Sequence, residues 1–108
     1  MSIKSLTKTK PDDTEEAVLK ALQQYVLEHP DAEVVTYRQN PVSIRIRVID
    51  PVFANLDRVG RQEILEKVIE KLPDDVQEDI TQVLLLTPEE AEKSFANFEF
   101  DNPIPSQL

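Results

Sequence analysis

Apolar residues recur at two different periods along this 108-residue chain, and each change of period marks a new element. Between residues 14 and 28, Val18, Leu19, Leu22, Tyr25 and Val26 return every third or fourth position, which predicts a helix with one apolar stripe. Asp12, Asp13 and Thr14 supply capping oxygens ahead of it, and Glu15 and Glu16 suit the positive end of its dipole. His29-Pro30-Asp31 ends it, because a proline disfavours helical geometry in the residue before it.

The period then shortens to two. Residues 33–38 are rich in strand formers and run into a turn cluster, Gln39-Asn40-Pro41. Residues 42–49 carry the clearest pattern in the chain. Ile44, Ile46 and Val48 alternate with Ser43, Arg45 and Arg47, which predicts a strand with one covered face and one open, basic face. Asp50-Pro51 closes that strand, and Phe53 anchors a loop or short turn over residues 52–58. A second helix is predicted over residues 58–72, with Val59, Ile64, Leu65, Val68, Ile69 and Leu72 on its inner side. Pro73 breaks it, and Asp74 or Asp75 caps one further turn with Val76 turned inward. Residues 80–86 read as a third strand, whose near-continuous apolar end predicts a more buried position than that of the second. Thr87-Pro88-Glu89-Glu90 starts a last, short helix: a threonine cap, proline at the first position, and glutamate three residues after the cap.

The element order is therefore α-β-β-α-β-α. The first two strands pair as a hairpin, and a right-handed crossover lays the third parallel to the second. The fold class expected is α+β, a two-layer sandwich of a three-stranded mixed sheet with its helices on one face. Residues 1–11 are expected as a flexible arm, residues 12–95 as a single domain, and residues 96–108 as a tail. The end of the chain carries Phe95, Phe98 and Phe100. It either folds back onto the domain or serves as a linear motif or a dimer contact by strand addition.

Composition narrows the chemistry. Cysteine is absent, which excludes disulfides, thiolate catalysis and cysteine-ligated metal centres. No run approaches the roughly 20 apolar residues of a membrane span, and no signal-peptide pattern opens the chain, so a soluble cytoplasmic protein is expected. The net charge of −9 repels phosphate backbones. Gly60 is the single glycine, which excludes phosphate loops, dinucleotide fingerprints and the GxxG clamp of nucleotide-binding K-homology domains. His29, the single histidine, sits at a helix end with no serine or second ligand nearby, and reads as a cap. The acidic pairs Asp12-Asp13, Glu15-Glu16, Asp74-Asp75, Glu78-Asp79 and Glu89-Glu90 mostly fall at helix starts, and adjacent carboxylates diverge on a helix. No catalytic, cofactor or metal site is expected. Arg45 and Arg47, with Arg38 beside them, form a basic stripe on the open sheet face; Arg58 and Arg61 extend it if the second helix begins near that face.

Residues 48–62 resemble the BolA-like family. Its signature is a strand ending in a short acidic turn, a phenylalanine, and then an Arg-His pair opening the next helix. Phe53 and Arg61 stand at that spacing, and the threonine-led helix over residues 87–90 falls at the matching place. The resemblance covers roughly residues 13–95. It implies a type II K-homology-like fold without enzymatic activity, partnering monothiol glutaredoxins in iron–sulfur handling, with some members acting in transcriptional control. The departures bear on chemistry. The histidine that ligates the cluster in the family is Gln62 here, and a carboxamide is a poor iron ligand. Gln39-Asn40-Pro41 offers no second histidine or cysteine, Asn55 stands for a glycine, and Ala91 for an aromatic residue. The chain resembles a divergent branch that kept the scaffold without the ligands. The expected function is a non-enzymatic protein-interaction or regulatory module, with Arg38, Arg45, Arg47, Arg61 and Gln62 as its candidate surface. The partner expected is a protein, glutaredoxin-like by resemblance. The alternatives are a nucleic-acid-binding regulator using the basic face, or a structural homo-oligomer such as a homodimer.

Overall fold

The computed structural model describes residues 2–7 and 10–93. In chain order they form β1 (Ser2–Ser5), α1 (Asp13–Glu28), β2 (Glu33–Asn40), β3 (Ser43–Ile49), a 3-10 turn (Pro51–Asn55), α2 (Arg58–Ile69), α3 (Asp74–Asp79), β4 (Ile80–Leu86) and α4 (Pro88–Lys93). The fold is α+β, with four helices and one mixed sheet of four strands in the order β1-β2-β3-β4. β2 and β3 are antiparallel, while β1 runs parallel to β2 and β4 parallel to β3.

The alternation read in β3 decides which face is covered. Ile44, Ile46 and Val48 are fully buried together with Val34 of β2. They pack against Val18, Leu22, Tyr25 and Val26 of α1, Leu65 of α2 and Val76 of α3. Each such side chain contributes roughly 1.5–3 kcal/mol by leaving water. Asp12 caps α1 by accepting from the Glu15 N–H at 2.8 Å, and Asp57 caps α2 by accepting from the Gly60 N–H at 2.8 Å. The second helix is shorter than expected, ending at Ile69, and Leu72 packs on the core from the turn that follows. Val59 is not on the inner side: it is 60 % exposed, because its helix face is the one that carries exposed Gln62, Glu63 and Glu66.

Three strands were expected and four are present. The additional one is Ser2–Ser5, part of the segment read as an arm, which pairs with Glu33–Thr36. Its anchor is a carboxylate. Glu15 is fully buried and accepts from Ser5 Oγ at 2.6 Å, Thr7 Oγ1 at 2.8 and 3.0 Å, and Thr36 Oγ1 at 2.8 Å. A serine and a threonine two residues apart carry no hydrophobic period, so pattern reading sees nothing there. The glutamate that holds them reads only as a helix-start acid.

The third predicted strand is also placed differently. β4 was expected to be the more buried strand, yet it is the outer one, and none of its residues is buried. Its apolar run has another cause: Val83 and Leu85 pack on the core while Leu84 packs on Val35 and Tyr37 on the opposite face. Apolar residues on both faces of a strand report covered faces, not a central position. Residues 94–108, including the phenylalanines of the tail and the end of the predicted domain, lie outside the described residues.

Two substitutions test this core. Ile46→Asp places an unpaired charge at a fully buried position, a cost of several kcal/mol comparable to total stability; its circular dichroism should be that of an unfolded chain. Thr36→Val removes one donor from the buried Glu15 carboxylate and should lower the unfolding free energy in urea by about 1.5–3 kcal/mol.

Candidate functional site

The five residues expected to form one surface do not converge. Strand parity separates three of them. Arg45 and Arg47 lie on the face turned away from the helices, as their alternation predicts, but that face is not an open basic stripe. Arg47 is only 7 % exposed, and Val35 and Tyr37 on the same face are buried. Arg45 is half-buried, donates to the Tyr37 hydroxyl at 2.8 Å, and holds its guanidinium 5.7 Å from the centre of that ring.

Arg38 is not beside them. It stands opposite Ile44 in the β2–β3 register and therefore shares the helix-covered face. There its Nη2 meets Asp12 at 2.8 Å and its Nη1 meets Asp79 at 2.9 Å, so it ties the start of α1 to the end of α3. This is structural work by a side chain the sequence offers as a docking residue.

Arg61 and Gln62 belong to a different feature, a groove of about 650 Å³ between α2 and β4. Leu56, Leu65, Ile69, Val83 and Leu85 give it an apolar lining, and Asp57, Arg58, Arg61, Gln62, Glu66 and Glu90 give it a polar one. Arg61 is the most engaged of these. Its Nε donates to the carbonyls of Phe53 and Leu56, both at 3.2 Å, and its Nη1 donates to the Leu85 carbonyl at 3.2 Å. Its guanidinium lies 5.7 Å from the centre of the Phe53 ring. Glu90 completes the shell, Oε1 at 2.7 Å from Nη1 and Oε2 at 3.3 Å from Nη2.

Glu90 has a second task. Its Oε1 accepts from the Thr87 N–H at 2.9 Å, and Thr87 Oγ1 accepts from the Glu90 N–H at 3.2 Å, the reciprocal cap predicted for α4. The Arg61 guanidinium, with the Thr87 N–H, holds the Glu90 carboxyl below its ordinary range. Sequence reading found the cap but missed the arginine, since nothing local links residues 61 and 90. Gln62 and Arg58 are exposed at the groove.

Other polar contacts near the core are structural, while Gln82 Oε1 of β4 is buried without a hydrogen-bond partner among the described residues. The Tyr25 hydroxyl donates to Asp50 Oδ2 at 2.5 Å, while Asp50 Oδ1 accepts from the Val52 N–H at 3.0 Å. Burial pushes the tyrosine's ionisation upward, and the bond to Asp50 pushes it further. His29 follows the end of α1, its N–H bonded to the Tyr25 and Val26 carbonyls and its ring stacked on Tyr25 at 4.1 Å. Among the described residues no group of three or more histidines or carboxylates is placed to hold a metal ion, and no helix is long and apolar enough to cross a membrane. Comparison with protein-family models, with curated proteins and with solved structures finds no match.

The carboxylates give the stability a pH dependence of known sign. Asp12, held low first by the Glu15 N–H and then by Arg38, and Glu90, held low by Arg61, both have folded-state values below their unfolded ones. Each contributes in full above the unfolded carboxylate range, about pH 4, and loses that contribution as pH falls through the lower folded value. Melting temperature should therefore fall below about pH 4, and the fall should be shallower in the Asp12→Asn/Glu90→Gln double variant. Parallel curves for parent and variant would refute the assignment.

Proposed function

We propose that the chain is a non-enzymatic protein-interaction or regulatory module of the cytoplasm, on a BolA-like, type II K-homology-like scaffold, and that it docks its partner in the α2–β4 groove. The observation that carries this reading is the groove itself: an apolar lining with a polar rim, beside the outer strand of the sheet. Such a surface offers area to bury and orienting groups at its margin, which is what protein recognition needs.

The Phe53–Arg61 pair lends support to the family reading. The spacing that carries the resemblance has a physical purpose here, since the arginine covers the phenylalanine ring and closes the turn between β3 and α2. Gln62, where the family carries its ligand histidine, is exposed at the same groove. A glutaredoxin-like protein is thus one candidate partner, met through surface contact and not through a shared cluster. The nucleic-acid reading is weaker. Arg38 and Arg61 are ion-paired within the chain, Arg47 is buried and Arg45 is held on Tyr37, so these four arginines form no open stripe for a phosphate backbone.

The test uses exposed positions whose change leaves the core intact. Tagged protein carrying Arg58→Glu and Gln62→Glu should lose partners captured from native extract by roughly tenfold, the order expected when a rim charge is reversed, with an unchanged melting temperature. Retention of the same partners, together with their loss in an Arg45→Glu variant, would move the docking surface to the other face.

A further inference from the structure

The groove holds a cation already fitted with a carboxylate, and that carboxylate is the chain's own. Three contacts fix the Arg61 guanidinium independently of Glu90: two carbonyls on Nε and the Leu85 carbonyl on Nη1. The guanidinium also lies over the Phe53 ring, 5.7 Å from its centre. The fork is therefore held in place whether or not an acid is bound to it. Glu90 reaches it from the solvent side, for its side chain is 46 % exposed where that of Arg61 is 15 % exposed. Over its described residues, Pro88–Lys93, the helix that carries Glu90 buries none of its side chains. Among the described residues, Glu90 joins it to the groove through its side-chain bonds to Arg61.

We propose that Glu90 is an internal stand-in for a partner's carboxylate, and that α4 is a strap which an acidic side chain of the docking protein displaces from Arg61. The proposal rests on the groove being the docking site and adds the chemistry of what docks there: an aspartate or glutamate set among apolar residues. Charge complementarity is the ground for that choice. A guanidinium held by its carbonyl contacts accepts a planar carboxylate through two parallel bonds, and Glu90 already demonstrates the fit. Exchange of one carboxylate for another keeps the guanidinium satisfied, so the strap opens without leaving a buried charge bare.

The experiment uses sodium acetate as the probe, with sodium chloride at equal ionic strength as the control, and follows the Arg61 Nε–H resonance by NMR. In Glu90→Ala, acetate should shift that resonance saturably, with an apparent Kd at least roughly tenfold below that of the parent, whose fork is occupied. Hydrogen exchange of the Ala91 amide, which is bonded to the Thr87 carbonyl at 3.0 Å, should quicken in the variant while amides of α1 and β3 keep their protection. Glu90→Gln serves the same measurement if the alanine variant fails to fold. An equal acetate response in parent and variant, or none in either, overturns the proposal, as does an Ala91 amide as protected in the variant as in the parent. Acetate involves no partner protein, so a failure here leaves the docking reading intact. Conversely, unchanged capture by the Arg58/Gln62 variant would sink that reading while leaving the affinity of Arg61 for carboxylates as measured.

Discussion

The burial of the β3 isoleucines beneath three helices is the constraint from which the rest of the molecule follows. Ile44, Ile46 and Val48 have no exposure, and the helices that cover them leave the same strand to present Arg45 and Arg47 on the other side. A slip of one residue in the β2–β3 register would put guanidiniums among Val18, Leu22 and Val26, at a cost no neighbouring group could offset. Register is thus fixed by desolvation, and with it the position of Arg38, which parity assigns to the helix face. The hairpin, the crossover to β4 and the groove beside it all take their places relative to that strand.

Once the register is set, the arginines are consumed one by one. Arg38 joins α1 to α3 through Asp12 and Asp79, Arg45 lies against Tyr37, Arg47 is buried, and Arg61 gathers three carbonyls and Glu90. Arg58 is the exposed arginine. An acidic chain of net charge −9 with its guanidiniums so engaged presents a surface unlike that of a phosphate-binding protein. Apolar and polar side chains meet in the groove between α2 and β4. Two hydrogen-bond hubs set that arrangement. Glu15 gathers hydroxyls from β1, β2 and the segment between β1 and α1, and Arg61 gathers carbonyls from the 3-10 turn, the residue after it and β4. One is an anion satisfied by neutral donors, the other a cation satisfied by neutral acceptors and one acid. Both join segments distant in sequence, and both are buried or nearly so, where such bonds are strongest.

The Phe53–Arg61 spacing gains physical sense from the second hub. The turn after β3 must bring Phe53 into the core and send α2 back across the sheet, and the Phe53 and Leu56 carbonyls can accept a side-chain donor there, Phe53 in addition to its bond from the Leu56 N–H. An arginine eight residues after the phenylalanine answers both needs, by bonding to those carbonyls and lying over the ring. The same position also lines the groove between α2 and β4. Gln62, the next residue, takes no part in these contacts, and its carboxamide is a poor iron ligand.

Local sequence determined the elements that depend on neighbours a few positions away. The stripe of α1, the alternation of β3, the Asp12 cap and the reciprocal Thr87–Glu90 cap all lie within one or two turns of chain, where period and capping chemistry are readable. Tertiary structure decided everything that joins residues far apart. It recruited Ser2–Ser5 as a strand because a buried glutamate needed donors, placed the apolar β4 at the margin because the crossover leads outward, and turned Arg61 toward a glutamate 29 residues away. The division has a simple origin. Hydrophobic period and capping are properties of a short stretch of backbone, whereas the satisfaction of a buried charge depends on which distant groups the folded chain brings within hydrogen-bond reach.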